Sequence, residues 1–131
     1  MKIVLDACSL IAFFEDEDDS EKVRDLLTHA AETENPALLS VVNWGEVYYF
    51  SLRAGGKSAA LQVLKNIESL PIEIVPADQE LTQIAAEFKA GHKMSYADTF
   101  AAALAKQKGA RLVTKDREFK SVEDDIKIIW V

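Results

Sequence analysis

The sequence predicts an α/β fold in which a mostly parallel central sheet of four to five strands carries helices on both faces, in one domain over residues 1–131. Two observations lead to this prediction. Short apolar runs of strand length alternate with longer segments whose apolar residues recur at helical spacing, and breaks that contain Gly, Pro or Asn separate them. Strands that alternate with helices pair in parallel, because each helix returns the chain to the starting edge of the sheet.

The strand candidates are short runs of β-branched and other apolar residues. They lie at residues 2–5, 37–42, 72–75, 111–114 and 126–130. An acidic residue follows the first run directly, so this stretch is too short for a signal peptide. Because no other run is long enough to cross a bilayer, we expect no membrane segment.

Helical segments fill the intervals between the strands. A helical turn is predicted at residues 9–14, and helices at 20–34, 43–53, 57–70, 78–91 and 95–108. Breaker residues support these bounds, since Gly55 and Gly56 separate the second helix from the third, and Gly109 closes the last. The helix at 43–53 carries aromatic residues on more than one face, which predicts that some of them stay exposed.

Charge is unevenly distributed along the chain. The formal net charge is −7, which by itself argues against nucleic-acid binding. Residues 89 to 120, however, hold eight Lys or Arg and only three acidic residues, a local charge of +5. Such a segment suits a polyanion beside a site where a cation neutralises phosphate. The one cysteine, Cys8, cannot form an internal disulfide, which favours a reduced, cytoplasmic protein.

Four acidic residues, Asp6, Glu46, Asp98 and Asp116, lie where a predicted strand ends or a predicted helix begins. In an open α/β sheet, strand ends and helix starts converge on one crevice. Carboxylates gathered there would repel one another unless a cation neutralised them, and oxygen ligands suit Mg²⁺ or Mn²⁺. The sequence therefore indicates a metal-dependent reaction on phosphate.

Each of these acidic residues also has an ordinary structural interpretation. Asp6 and Asp116 could cap the turns that follow them. Asn43-x-x-Glu46 and Ser95-x-x-Asp98 resemble capping boxes, in which the acidic side chain reaches back to the helix start. Four caps need not face one another, whereas a metal site requires it, so the sequence leaves both interpretations open.

Four ordered segments resemble the PIN domain family. They are VLDACSLI at residues 4–11, SVVNWGEV at 40–47, SYADTFAAA at 95–103 and LVTKDREF at 112–119. The resemblance spans nearly the whole chain. The length, about 130 residues with nothing added, is similar to that of the VapC-type toxins in this family.

The resemblance implies a PIN-like three-layer fold and a Mg²⁺- or Mn²⁺-dependent endoribonuclease. It implies that the metal is held by Asp6, Glu46, Asp98 and Asp116. It further implies a homodimer and a small antitoxin that blocks the cleft.

Other residues would support this site. Thr114 and Ser9 are expected to assist the metal ligands. The candidates for contacts with RNA phosphates are Lys93, Lys115 and Arg117. The family often has Asn, Ser or Thr where this chain has Cys8, and a thiol is a poor partner for a hard cation. The acidic run at residues 15–19 is predicted as a solvated loop, or else as a patch for a basic antitoxin segment.

Three alternative functions remain open at the level of sequence. The first is a receiver-like signalling domain, although receivers need paired acids after the first strand and Asp6 stands alone there. The second is a PIN-like domain kept only for binding. The third is a nuclease that acts on DNA, since no feature of the sequence indicates a contact with the 2′-hydroxyl, the group that distinguishes RNA from DNA.

Overall fold

The central feature of the structure, a computed structural model that describes residues 1–18 and 20–131, is a parallel β-sheet. The strands of the described residues are β1 (Ile3–Leu5), β2 (Ala37–Ser40), β3 (Ile72–Val75), β4 (Arg111–Thr114) and β5 (Ile128–Trp130). Their order across the sheet is β3-β2-β1-β4-β5, and each neighbouring pair is parallel. The predicted α/β class with a parallel sheet is confirmed.

Helices connect the strands along the chain. They are α1 (Ala7–Phe14), α2 (Ser20–Glu32), α3 (Val41–Glu68), α4 (Gln79–Gly91), α5 (Tyr96–Lys108) and a short 3-10 helix (Arg117–Val122). None of the helices in the described part of the chain is both long and apolar enough to cross a bilayer.

Two hydrophobic cores lie on opposite faces of the sheet, so the fold has the three expected layers. Val4 and Leu112 point to the face covered by α4, α5 and the 3-10 helix. Leu5 and Val113 point to the other face, which α1, α2 and α3 cover. Successive strand residues alternate between the faces, and β1 and β2 are buried on both faces, which explains why these two strands are almost entirely apolar.

The boundary between β2 and α3 differs from the prediction. The strand predicted at residues 37–42 ends at Ser40, and Val41 already begins α3. The Ser40 side chain accepts a hydrogen bond from the backbone N–H of Val42 at 3.2 Å and so caps the helix. Two valines suggested a longer strand, but the serine cap satisfies the helix start and ends the extended segment.

The two helices predicted at residues 43–53 and 57–70 form the single element α3, which is broken at Gly56. Gly56 has φ 83° and ψ 179°, a conformation open to glycine and strained for other residues. In the second half of α3, Ala60 and Ile67 are buried, whereas 46% of the surface of Leu61 is exposed. The apolar residues of this half are therefore only partly buried.

The acidic run at residues 15–19 follows α1. Glu15, Asp16, Glu17 and Asp18 are exposed in the turns between α1 and α2, as predicted for a solvated loop. Asp19, the last residue of that run, lies outside the described residues.

Candidate active site

The four predicted acidic side chains lie around the carboxyl ends of β1, β2 and β4. Asp6 directly follows β1, and Asp116 follows β4 by two residues. Glu46 is in the second turn of α3, and Asp98 is in the first turn of α5. The strand connections reverse direction between β1 and β4, and such a reversal opens a crevice at the carboxyl edge of a parallel sheet.

Asp6 is buried in the floor of this crevice, with 1% of its surface exposed. Its Oδ1 accepts a hydrogen bond from the N–H of Ser9 at 2.8 Å, and its Oδ2 accepts one from the hydroxyl of Thr114 at 2.5 Å. Burial raises the pKa of Asp6 to about 6, hydrogen bonds from Thr114 and Ser9 oppose this rise, and the charge of Asp116 adds to it. Asp6 is thus the cap of α1, and the same carboxylate belongs to the acidic group.

Thr114 links two of the acidic residues through one hydroxyl. It is fully buried at the end of β4, donates to Asp6, and accepts a hydrogen bond from the backbone N–H of Asp116 at 2.9 Å. The Asp116 carboxylate in turn accepts from the N–H of Glu118 at 3.0 Å and caps the 3-10 helix. The Thr114 hydroxyl therefore fixes the turn that carries Asp116 against the end of β1.

Glu46 does not form the capping box suggested by Asn43-x-x-Glu46. Because Ser40 is the N-cap of α3, Asn43 lies inside the helix. The side-chain amide of Asn43 donates to Oε1 of Glu46 at 2.8 Å. Burial raises the pKa of Glu46 above its ordinary value, and this hydrogen bond opposes the rise. The capping-box interpretation is wrong, and the Glu46 side chain lines the crevice instead.

Asp98 shows most directly that the carboxylates are close together. Ser95 caps α5 by accepting from the N–H of Asp98 at 3.1 Å, as the sequence suggested. Burial raises the pKa of Asp98 to about 7, a hydrogen bond with Ser95 opposes the rise, and the charges of Glu46, Asp116 and Asp6 add to it. Glu46, Asp98 and Asp116 line the same cleft, and one carboxylate oxygen each of Asp98, Asp116 and Glu118 lies within 4.8 Å of the others. The closest group of carboxylates therefore joins Asp98 and Asp116 with Glu118.

A cleft of about 440 Å³ opens beside these carboxylates. Glu46, Asp98 and Asp116 line it, while Ala7 and Cys8 occupy the part of its wall next to buried Asp6. Burial, and then the charge of Asp6, raise the pKa of the Cys8 thiol to about 12. The thiol therefore stays protonated at neutral pH, so Cys8 adds no anionic ligand to the cleft.

Aromatic side chains from α3 form an apolar wall of the same cleft. Tyr49 and Phe50 both line it, with 50% and 40% of their surfaces exposed. On the same helix, the rings of Trp44 and Tyr48 stack with centroids 6.3 Å apart. The expectation that one core cannot bury all the aromatic residues of this helix is confirmed.

The basic residues predicted to contact RNA have different surroundings. Lys115 lines the cleft, and its Nζ is 2.7 Å from Oε2 of Glu17 in the acidic turn after α1. The guanidinium of Arg117 lies over the ring of Trp130, 4.7 Å from its centroid. Lys93 is exposed in the turn that precedes α5.

Two residues near the carboxylates were not picked out from the sequence. One is Asn43, which was interpreted only as a helix cap. The other is Glu118, which presents a carboxylate oxygen within 4.8 Å of oxygens from Asp98 and Asp116. Its position two residues after Asp116 was the available signal, but an acidic residue in the first turn of a helix is common for electrostatic reasons alone.

Comparison with solved structures shows that the fold is shared with proteins of toxin–antitoxin systems. VapBC2 from Rickettsia felis, solved with a DNA fragment from its promoter, superposes with a TM-score of 0.79 at 20% identity, over 100% of this chain and 99% of that chain. DNA-bound VapBC from Salmonella typhimurium gives a TM-score of 0.78 at 18% identity, over 98% and 97%. VapC20 from Mycobacterium tuberculosis, described as a sarcin–ricin loop cleaving toxin, gives 0.72 at 18% identity, over 92% and 94%.

Comparison with curated protein sequences gives no match. The sequence model of the PIN domain, in contrast, matches residues 3–125, which is most of the chain. That match agrees with the ordered acidic motifs and with the three-layer fold. The chain therefore belongs to the PIN domain family.

Proposed function

We propose that this PIN domain is a Mg²⁺- or Mn²⁺-dependent endoribonuclease and the toxin of a type II toxin–antitoxin pair. The observation that carries the proposal is the gathering of acidic side chains that repel one another. Glu46, Asp98 and Asp116 line one cleft, and oxygens of Asp98, Asp116 and Glu118 lie within 4.8 Å of one another. Carboxylates that only capped helices would have no reason to converge, whereas a cation site requires convergence. A bound cation would relieve the repulsion and return the carboxylates to their charged forms.

The donor set fits a hard divalent cation. The candidate ligands are carboxylates, and those of Asp98, Asp116 and Glu118 can each place one oxygen within 4.8 Å of the others. Glu46 lines the same cleft, and Asp6 lies beside it. Oxygen-only sites of this kind suit Mg²⁺ and Mn²⁺ better than softer metals. When bound, such an ion lowers the pKa of a water molecule and stabilises negative charge on phosphoryl oxygens.

The protein's own residues prepare this site in two ways. The hydrogen bonds of Asp6 with Ser9 and Thr114 hold its carboxylate in one orientation, so little order has to be gained when a cation binds. Lys115 at the cleft and Arg117 nearby supply positive charge for the phosphates that flank the cleaved bond.

The assignment to RNA, and to a toxin, rests on the relatives. The structural neighbours include complexes named VapBC and a toxin described as cleaving the sarcin–ricin loop. By analogy, we expect a cognate antitoxin, a homodimer and a cytoplasmic location, with Lys93 contacting RNA beyond the cleft. The exposed aromatic wall of Tyr49 and Phe50 gives a partner protein an apolar surface close to the acidic residues.

Incubation of the purified protein with separate panels of tRNA, ribosomal RNA and single-stranded DNA tests the proposal. We expect RNA cleavage that needs Mn²⁺ or Mg²⁺, stops with EDTA and is lost in Asp98→Asn. Sequencing of the cut ends then defines the reaction. Cleavage of DNA alone would favour the nuclease that acts on DNA. If neither RNA nor DNA is cleaved in the presence of metal, a PIN-like domain kept only for binding is favoured.

A further inference from the structure

Asn43 is a fully buried polar residue between α3 and α5. Its exposed fraction is 0%, and its Nδ2 makes two hydrogen bonds. One goes to Oε1 of Glu46 at 2.8 Å, and the other goes to the backbone carbonyl of Ala97 at 3.1 Å. Ala97 directly precedes Asp98, so a single amide group ties the Glu46 side chain to the backbone that carries Asp98.

The other polar atom of this side chain shows that Asn43 serves more than packing. Oδ1 of Asn43 is buried and has no hydrogen-bond partner among the described residues. A buried acceptor without a partner disfavours the folded state. Turning the amide over would place Oδ1 against two acceptors, Oε1 of Glu46 and the carbonyl of Ala97, so the observed orientation is the favourable one. A leucine of similar size would remove the unsatisfied oxygen together with the two hydrogen bonds of Nδ2, so these two effects on fold stability oppose each other.

We propose that Asn43 is a positioning residue that sets the Glu46 carboxylate relative to Asp98 for cation binding; this inference rests on the proposed function. The Glu46 side chain has three rotatable bonds and lines an open cleft, so a fixed donor is needed to hold it in one position. Hydrogen bonds that orient metal ligands from outside the coordination shell influence affinity strongly. Asn43 provides such a bond from inside the protein, where water cannot replace it.

Mn²⁺ binding to the purified protein without RNA, measured by isothermal titration calorimetry, tests this role in Asn43→Leu. We expect Mn²⁺ affinity to fall about 10-fold or more, the usual effect of removing an orienting partner. Thermal stability in EDTA should stay close to wild type, because the leucine fills the same space and removal of the unsatisfied oxygen offsets the loss of the two hydrogen bonds. Val47→Ala is the matched control, since Val47 is fully buried one turn further along α3. It should lower the melting temperature and leave Mn²⁺ affinity unchanged.

Two results would overturn the inference while leaving the proposed function standing. In the first, Asn43→Leu binds Mn²⁺ as tightly as wild type. In the second, Val47→Ala weakens Mn²⁺ binding as much as Asn43→Leu, which would mean that loosening α3 is sufficient. If leucine does not fit, Asn43→Ala gives the same comparison. Wild-type protein that binds no Mn²⁺ would overturn both proposals together.

Discussion

Replacing Asp6 by Asn should make the metal-free protein more stable at neutral pH. The pKa of Asp6 is about 6 in the folded protein, against an ordinary value of 3.8. Below pH 3.8 the carboxyl is protonated in both states, so it costs no stability. As the pH rises towards 6, the unfolded chain loses this proton while the folded protein keeps it, and stability falls. Above pH 6 the loss is complete, and the difference in pKa corresponds to about 3 kcal/mol.

The substitution removes the charge and retains the hydrogen bond that caps α1, whereas the Thr114 hydroxyl loses its acceptor on Asp6. An Asn side chain keeps an oxygen that can accept from the N–H of Ser9, and Asn caps helices about as well as Asp. The Thr114 hydroxyl can rotate to accept from the new amide group. Asp78→Asn is the matched control, because Asp78 caps α4 in the same way, accepting from the N–H of Leu81 at 2.9 Å, on an exposed surface.

Urea unfolding in EDTA, followed by circular dichroism at pH 4 and pH 8, measures the effect. We expect Asp6→Asn to gain up to about 3 kcal/mol over wild type at pH 8, and much less at pH 4. Asp78→Asn should stay within about 0.5 kcal/mol of wild type at both values. Mn²⁺ at about 100 times its Kd should raise the free energy of unfolding of the wild type by about 2.7 kcal/mol, and that of Asp6→Asn by little. An Asp6→Asn protein less stable than wild type at pH 8, or a difference independent of pH, would refute the reasoning.

Three further predictions concern the site and the helix break. Asp98→Asn should abolish metal-dependent cleavage and leave the circular dichroism spectrum unchanged; cleavage at the wild-type rate with resistance to EDTA would contradict the metal assignment. Thr114→Val removes the donor to Asp6 and the acceptor for the N–H of Asp116. The free energy of unfolding should therefore fall by about 1–3 kcal/mol, and Mn²⁺ affinity should fall about 10-fold or more. Gly56→Ala should lower the free energy of unfolding in chemical denaturation by about 1–3 kcal/mol, since Gly56 has φ 83° and residues with a side chain are strained there. A variant as stable as wild type would show that α3 can straighten at that point.

Much of the fold could be predicted because its signals are local. Ser95 caps α5 in the way its position suggested, and Gly109 ends the same helix in the left-handed conformation expected of glycine. The β3 and β4 strands match their predicted bounds, since each is a short run rich in β-branched residues with a proline or glycine close before it. Errors arose where two local signals competed, as at Ser40, where a helix cap overrode a run of valines.

Four acidic residues around the candidate site were predictable, whereas Glu118 and the contacts among the side chains were not. Acidic residues at strand ends and helix starts pointed to Asp6 and Asp98, because strand ends of parallel sheets meet at one edge. The contacts that orient these residues come from distant parts of the chain. Thr114 meets Asp6 across 108 positions, and Asn43 meets Ala97 across 54. No local pattern encodes such pairings.

By itself, the sequence determined the α/β class and the order of the elements, and it pointed to four of the acidic residues around the crevice. Hydrophobic periodicity, helix capping and the position of a residue at a strand end all depend on neighbouring residues in the chain. Only the tertiary structure decided that Asp6 is both a cap and a member of the acidic group, that Glu46 pairs with Asn43, and that Glu118 comes near Asp98. The physical reason is that charge repulsion and burial depend on distances through space. These distances exist only once the sheet has brought its strand ends together.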